Sequence, residues 1–129
     1  MRFIGRTDGL SDEMLERMRW AEAETRANEC MALYVAFNYG GRAEILDAAE
    51  RYSGGGEEAF RAALYAPEMR DADIVIRTSG ERRLSNFLLW QTSYSELYFS
   101  DALWPDFDME ELSAALQELE ARQRRFGAR

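Results

Sequence analysis

Residues 74–91 read Ile-Val-Ile-Arg-Thr-Ser-Gly-Glu-Arg-Arg-Leu-Ser-Asn-Phe-Leu-Leu-Trp-Gln, an apolar run, a basic loop and a second apolar run. The chain as a whole is acidic, with 24 Asp and Glu against 16 Lys and Arg, yet this loop carries Arg77, Arg82 and Arg83 against Glu81 alone. Arginine forks pair with phosphate oxygens, and free N–H groups at the start of a helix point at bound anions. A basic loop between a buried strand and a helix therefore predicts a diphosphate site.

Unalternating apolar runs mark the buried strands around this loop. Residues 31–37 and 74–76 lack the polar alternation of a half-exposed strand, which is typical of parallel strands covered on both faces. Ser11 is a good N-cap for a first helix, and Asp108 with Glu111 three residues later forms a capping-box pattern for the last. We predict strands at 1–5, 31–37, 73–76 and 96–99, and helices at 12–25, 42–52, 57–65, 85–93 and 109–124.

The element order β-α-β-α-α-β-α-β-α predicts the fold class. It is α/β, with a Rossmann-like, mainly parallel sheet flanked by helices, in a single domain over residues 1–129. In such sheets ligands bind outside the carboxyl ends of the strands. Two predicted strands end in polar segments, 38–42 (Asn-Tyr-Gly-Gly-Arg) and 77–81 (Arg-Thr-Ser-Gly-Glu). We expect both segments to lie on the same edge of the sheet and to form a site there.

Composition excludes several classes of function. The chain has no histidine, which excludes Ser-His-Asp and Cys-His catalysis within it and removes the commonest zinc ligand. Any metal should be hard and oxygen-bound, hence Mg²⁺ rather than Zn²⁺. The net charge of −8 argues against nucleic-acid binding.

The cellular compartment is predicted from the same composition. Cys30 is the single cysteine, so it forms no intramolecular disulfide, and we expect it to be a buried structural thiol before the second strand. No run is as long and apolar as a membrane span, and the first residues do not resemble a signal peptide. We therefore expect a cytoplasmic protein.

Each basic residue of the loop has a functional and a structural interpretation. Arg77 ends a hydrophobic strand and either holds a phosphate or forms an ion pair with Asp71 or Asp73. Arg83 and Ser85, two residues apart at a predicted helix entrance, either share one phosphate or lie on the surface. The default interpretation of Arg82 is a surface charge, and that of Glu81 is an ion pair.

Glu96 is a carboxylate within an apolar and aromatic stretch, so it must be paired, hydrogen-bonded or bound to a metal. An arginine partner and a metal ion are both open interpretations. The many large side chains of residues 87–104 predict a subunit contact, because a small domain has little room to bury them. Arg122, Arg124 and Arg125 are by default a cationic helix C-terminus, which the helix dipole favours.

Several of these segments resemble the cis-prenyltransferases, the undecaprenyl diphosphate synthase family. The resemblance covers essentially the whole chain, and its middle motif is highly specific. The matching segments are Asn38–Arg42, Asp73–Glu81, Arg83, Ser85–Gln91, Tyr94–Phe99, Leu103–Phe107 and Arg124–Gly127.

The resemblance implies an enzyme that condenses isopentenyl diphosphate with an allylic diphosphate such as farnesyl diphosphate, in cis geometry, with Mg²⁺ and as a dimer. It implies that Arg77, Arg83 and Ser85 hold the diphosphate of isopentenyl diphosphate. It also implies that Glu96 is a Mg²⁺ ligand or orients the metal-bound substrate, and that the triplet ending in Gly127 reaches the partner subunit's site. Position 82 is a histidine in some members of the family and Arg in this chain.

One part of the family pattern has no counterpart in this sequence. The family begins with a His-x-Met-Asp-Gly-Asn-Gly-Arg-Trp stretch that supplies a Mg²⁺-engaging aspartate and the allylic site. The chain thus resembles the C-terminal half, with the N-terminal catalytic half absent, and product chain length cannot be deduced from it. We expect it to act in prenyl transfer by self-association or with a complementing half, and with peripheral membrane contact through its lipid product. The alternatives are a non-catalytic diphosphate-binding partner subunit and a truncated inactive fragment.

Overall fold

The computed structural model describes residues 1–122. The elements, in chain order, are β1 (Arg2–Ile4), α1 (Asp12–Glu24), β2 (Tyr34–Ala36), α2 (Gly41–Arg51), α3 (Gly56–Arg61), β3 (Ile74–Arg77), β4 (Glu96–Phe99), a 3₁₀ turn (Trp104–Asp106) and α4 (Met109–Ala121). They belong to two compact units, residues 1–69 (unit 1) and residues 70–129 (unit 2, described to 122). No helix among residues 1–122 is long and apolar enough to cross a membrane.

Unit 1 is built on the parallel pair β1–β2, in which Arg2 lies opposite Tyr34 and Ile4 opposite Ala36. The N-cap predicted at Ser11 is confirmed, because its hydroxyl accepts a hydrogen bond from the N–H of Met14 at 3.3 Å. Small and apolar side chains fill the interior of the unit. They are Ile4, Ala48, Leu64, Ala66 and Met69.

A glycine allows the end of β1 to approach the end of β2 closely. Gly5 has φ of 134°, and a Cβ atom at this position would lie 2.1 Å from the carbonyl oxygen of Phe37. The side-chain amide of Asn38 then donates to the carbonyl oxygens of Arg6 at 2.9 Å and Asp8 at 3.1 Å. The first residue of the segment 38–42 is therefore used to fasten the neighbouring loop.

Unit 2 is built on the parallel pair β3–β4, in register from Ile74 opposite Glu96 to Arg77 opposite Phe99. The bounds predicted for β4 are confirmed without a shift, and those of β3 differ by one residue. With both pairs parallel and helices following β1, β2 and β4, the predicted α/β class is confirmed.

The N-terminus of α4 confirms half of the predicted capping box. The carboxylate of Asp108 accepts hydrogen bonds from the N–H groups of Glu110 at 2.9 Å and Glu111 at 3.0 Å. The Glu111 side chain does not return the bond to Asp108, because it accepts one from the hydroxyl of Ser100 at 2.7 Å. A tertiary partner thus replaces the local one.

The helix predicted over residues 85–93 is wrong, because this segment is a series of turns. Ser85, Asn86 and Leu88 have φ of 51°, 63° and 44°, values that no right-handed helix contains. The hydroxyl of Thr92 donates to the Leu88 carbonyl at 2.7 Å, so a side chain takes part in closing the turn. Ser, Asn and Thr side chains compete with helical hydrogen bonds in this way, and the apolar spacing alone did not reveal it.

The prediction of a buried Cys30 is also wrong. Cys30 is exposed, and so is its neighbour Met31. The reason is that β2 begins at Tyr34 rather than at Met31, so that Cys30 lies in the loop before the strand.

Candidate functional site

The basic loop leaves the carboxyl end of β3 through a turn fastened to the chain after β4. The N–H of Ser79 donates to the Ala102 carbonyl at 2.7 Å, and that of Gly80 donates to the Ser100 carbonyl at 2.9 Å. Ser79 and Gly80 both adopt left-handed backbone conformations, with φ of 69° and 68°. Ser79 pays a steric penalty for this conformation that Gly80 does not. The turn holds the residues after Arg77 close to the residues after β4.

Arg77 is the last residue of β3 and is half-buried. Among residues 1–122 it has no hydrogen-bonded or ion-paired side-chain partner, and the ion pair with Asp71 or Asp73 is not observed. A partly desolvated cation without a protein partner favours an external anion. The sequence predicts that Arg77 holds a phosphate, and this role stays a prediction.

The other two arginines of the loop differ from each other. Arg83 forms an ion pair with Glu81, which confirms the ion-pair default for Glu81 and leaves Arg83 exposed and only partly neutralised. Arg82 lines a shallow cavity of about 210 Å³ together with residues 97–99, Glu118 and Arg122. Both arginines are exposed to solvent.

Ser85 lies in a left-handed turn two residues after Arg83. Its hydroxyl makes no hydrogen bond to the described part of the chain, so it is available to a ligand. The expectation of a helix N-terminus at this point is wrong, since the turn at Ser85 and Asn86 starts no helix. Any anion bound here would be held by side chains and turn amides, without a helix dipole.

Glu96, the first residue of β4, pairs with an arginine. Its Oε2 atom accepts a hydrogen bond from Nη1 of Arg122 at 2.7 Å, and Arg122 also pairs with Glu118 one turn earlier in α4. These bonds raise the pKa of Arg122, Glu96 contributing most and Glu118 next. The sequence indicated only a cationic helix end for Arg122. The i,i+4 spacing from Glu118 was a readable signal, whereas the contact with Glu96 joins residues 26 positions apart.

The described residues offer few oxygen ligands grouped in a way that could bind Mg²⁺. Residues 1–122 contain no group of three or more His, Cys, Asp or Glu side chains that could enclose a metal. Mg²⁺ that binds together with a diphosphate usually takes only one or two carboxylates and several phosphate oxygens and waters. Glu96 fits the role of one such carboxylate, with one oxygen already shared with Arg122.

Two of the sequence-based predictions are not tested by this geometry. Gly127 and residues 124–126 lie outside the described residues. The segment 38–42 follows β2 in unit 1, whereas the basic loop follows β3 in unit 2, and their placement on one edge remains a prediction.

Comparison with known proteins identifies the family. The prenyltransferase family model for undecaprenyl diphosphate synthases matches residues 1–127. An isoprenyl transferase from Thermotoga maritima is 48% identical over 136 residues, covering 98% of this chain and 58% of that relative. Isoprenyl transferase 2 from Streptomyces avermitilis is 43% identical, with 98% of this chain and 48% of the relative covered. The chain thus spans about half the length of these curated relatives.

Solved structures give the same result. A probable undecaprenyl diphosphate synthase from Campylobacter jejuni superposes with a TM-score of 0.90 at 36% identity, covering 98% of this chain and 62% of that one. Lavandulyl diphosphate synthase from Lavandula x intermedia, in complex with dimethylallyl diphosphate, also gives 0.90, at 33% identity and with 98% and 59% covered. Because the family model matches nearly the whole length of this chain, the chain belongs to the undecaprenyl diphosphate synthase family of prenyltransferases.

Proposed function

We propose that this chain takes part in cis-prenyl transfer, the condensation of isopentenyl diphosphate with an allylic diphosphate, by holding the diphosphate of isopentenyl diphosphate. The observation that carries the proposal is Arg77, a half-buried cation at the carboxyl end of β3 with no side-chain partner among residues 1–122. Membership of the family supports the type of reaction. The basic loop after β3 supports the location.

The binding chemistry follows from the loop. Arg77 and Arg83 would each direct guanidinium N–H groups at phosphate oxygens, and the hydroxyl of Ser85 would add a neutral donor. On binding, Arg83 would either leave Glu81 for a phosphate or contact Glu81 and the phosphate at the same time. The exposed side chain of Arg83 allows both arrangements. The turn at Ser79 and Gly80 is bonded to the chain after β4, so the start of the loop beside Arg77 is positioned before the ligand arrives.

Glu96 is proposed as the carboxylate through which Mg²⁺ is held beside the substrate. When bound, the ion would supply charge neutralisation for a departing diphosphate. Arg122 would orient the Glu96 carboxylate, because it donates to one oxygen and leaves the other available. We also propose that Gly127 reaches the partner subunit's site. The family resemblance is the only support for this role.

Self-association is part of the same proposal. Tyr94 is 72% exposed and Trp104 is 75% exposed, and both belong to the segment for which the sequence predicts a subunit contact. Large apolar side chains that face solvent in this way support an interface. The allylic substrate would be bound by parts of the enzyme other than the basic loop.

The proposal is tested by calorimetry with isopentenyl diphosphate and Mg²⁺. Arg77→Ala and Arg83→Ala should each weaken binding by about 1.5–3 kcal/mol, the range for hydrogen bonds to charged groups. Arg17→Ala is the matched control, since Arg17 is an exposed arginine that pairs with Glu13 in unit 1, and it should leave the affinity unchanged. Unchanged affinity in both loop variants, or an equal loss in the control, would exclude the site.

A second candidate is a diphosphate-binding subunit without catalysis of its own. The observation that favours it is that residues 1–122 hold no group of three or more His, Cys, Asp or Glu side chains that could bind a metal ion. Both candidates predict the same loss of affinity in Arg77→Ala. They differ in Glu96→Ala, which should abolish prenyl transfer by an assembled enzyme under the first candidate and leave it unchanged under the second.

A further inference from the structure

Arg122, at the end of α4, bonds to two carboxylates at once. Its Nη1 atom donates to Oε2 of Glu96 at 2.7 Å, and its Nη2 atom donates to Oε1 of Glu118. Among residues 1–122, no group donates a hydrogen bond to the other carboxylate oxygen of Glu96, Oε1. The two terminal nitrogens of one guanidinium are thus divided between two acceptors.

This division is not the usual geometry of an arginine beside a carboxylate. Two guanidinium nitrogens match the spacing of two carboxylate oxygens, so an arginine frequently bonds to both oxygens of one carboxylate. Packing does not prevent Arg122 from bonding to Glu96 in this way, since their side chains are 41% and 26% exposed. Arg122 also lines the cavity of about 210 Å³ next to β4, which leaves room for the guanidinium to turn. The bond to Glu118 therefore keeps Arg122 away from the second oxygen of Glu96.

The helix α4 places Glu118 beside Arg122. Residues four apart lie on one face of a helix, and a glutamate four residues before an arginine is the favourable order for an ion pair. The side chain of Glu118 makes no other hydrogen bond or ion pair within residues 1–122. In this part of the chain its carboxylate is therefore used for Arg122 alone.

We propose that Glu118 is a positioning residue for the Mg²⁺ carboxylate, and that it acts through Arg122. Glu118 engages one terminal nitrogen of Arg122, so that Arg122 orients Glu96 through Oε2 and leaves Oε1 open to a divalent cation. Without the Glu118 carboxylate, Arg122 closes on both oxygens of Glu96, and a cation must displace one of the two bonds. The inference rests on the proposed function, because it takes Glu96 as the carboxylate that holds Mg²⁺.

Binding of the Mn²⁺ complex of inorganic diphosphate to the 129-residue chain tests the proposal. Mn²⁺ prefers the same oxygen ligands as Mg²⁺, and the relaxation of water protons measures its binding to a protein. Glu118→Gln should weaken binding about threefold to fivefold, the effect of competition with one exposed ion pair. Circular dichroism checks that each variant is folded.

The matched control is Glu120→Gln. It removes the same charge from the same helix, at an exposed glutamate that forms no ion pair with residues 1–122. Because exposed charges are screened by salt, this control should change the affinity by less than about 1.5-fold at physiological ionic strength.

A lysine at the position of Arg122 separates positioning from charge. Lysine keeps the positive charge but lacks the planar fork that bonds to both oxygens of a carboxylate. In Arg122→Lys, the further change Glu118→Gln should therefore alter the affinity by less than about 1.5-fold. A direct electrostatic effect of Glu118 on the cation would be the same with and without Arg122→Lys.

Three results would overturn the proposal. They are wild-type affinity in Glu118→Gln, an equal loss in Glu120→Gln, and an equal effect of Glu118→Gln with and without Arg122→Lys. Glu96→Gln then distinguishes the two levels of failure. If Glu96→Gln leaves the affinity unchanged, the proposed metal carboxylate is wrong as well, whereas if it lowers the affinity, only the role of Glu118 is wrong.

Discussion

Asp47 accepts hydrogen bonds from two neighbouring side chains of unit 1. The guanidinium of Arg6 donates to its two carboxylate oxygens at 2.9 and 2.5 Å, and the hydroxyl of Tyr65 donates to Oδ2. These bonds, that of Arg6 first, lower the pKa of Asp47 to about 2. Burial, and then the hydrogen bond with Asp47, raise the pKa of Tyr65.

The pH dependence of stability should report this cluster. The pKa of Asp47 is lower in the folded state, so its stabilising contribution is complete above its ordinary pKa of 3.8 and is lost as the pH falls through about 2. In Asp47→Asn the free energy of unfolding should therefore fall less steeply as the pH drops from 3.8 to about 2. Arg6→Ala should have the same effect, because the shift belongs to the pair. Urea denaturation at several pH values would measure it, and wild type and variants that lose stability in parallel would contradict it.

The role of a residue could be predicted from the sequence where it follows from the residue's position relative to its neighbours along the chain. Arg77 was expected at the end of a strand with chemistry directed at an anion, because an apolar run stops at that residue. The pairing of Glu96 with an arginine was one of two open interpretations, and its partner Arg122 was not identified. That contact depends on how α4 packs beside β4, which no local pattern encodes.

At the scale of elements, α2 depends on a buried carboxylate. Glu44, in its first turn, is 1% exposed, and it accepts hydrogen bonds from the Tyr39 hydroxyl at 2.5 Å and from the Tyr65 N–H at 3.1 Å. The contact with the Tyr65 N–H joins the start of α2 to the chain after α3. Leaving a buried donor without its acceptor costs the full desolvation free energy of that donor.

Glu44→Ala should lower the free energy of unfolding by about 1–3 kcal/mol, because two donors lose their acceptor. The matched control is Glu50→Ala, an exposed glutamate of the same helix, which should change it by less than about 0.5 kcal/mol. Chemical denaturation at neutral pH measures both. Equal effects of the two substitutions would show that the hydrogen bonds to Glu44 do not stabilise the fold.

The elements that the sequence predicted well are those whose signal is local. The strand at 96–99, the cap at Ser11 and the helix starting after Asp108 follow from apolar runs and capping residues. The segment 85–93 was misassigned because apolar spacing favoured a helix there, while hydroxyl and amide side chains and left-handed backbone angles favour turns. The loop for which the sequence predicts a diphosphate site therefore ends in turns and not in a helix N-terminus.

At the scale of the whole molecule, the family match covers nearly the entire chain, whereas the chain covers about half of its curated relatives. Family and α/β class could be predicted because the motifs are contiguous and specific. The common edge expected for the segments 38–42 and 77–81, and the single domain over residues 1–129, stay predictions. They concern the arrangement of two units, which is set by packing rather than by local sequence.

The isolated chain should show negligible prenyl transfer with Mg²⁺, isopentenyl diphosphate and farnesyl diphosphate. It offers one proposed diphosphate site, and positioning both substrates is a large part of the rate in a two-substrate condensation. Addition of the unmatched region of the Thermotoga maritima relative should restore product formation, and Glu96→Ala should reduce the restored rate sharply. Radiolabelled product measures this, and abundant polyprenyl product from the 129-residue chain alone would refute the prediction.

The most direct test of the diphosphate site is a titration of the isotope-labelled chain with isopentenyl diphosphate and Mg²⁺, followed by amide chemical shifts. The largest changes should fall on residues 77–85 and at Glu96, and Arg77→Ala should remove them. Inorganic diphosphate should move the same amides, because the phosphate oxygens are what the arginines recognise. Saturable changes confined to unit 1, with residues 77–85 unaffected, would show that the diphosphate does not bind at the basic loop.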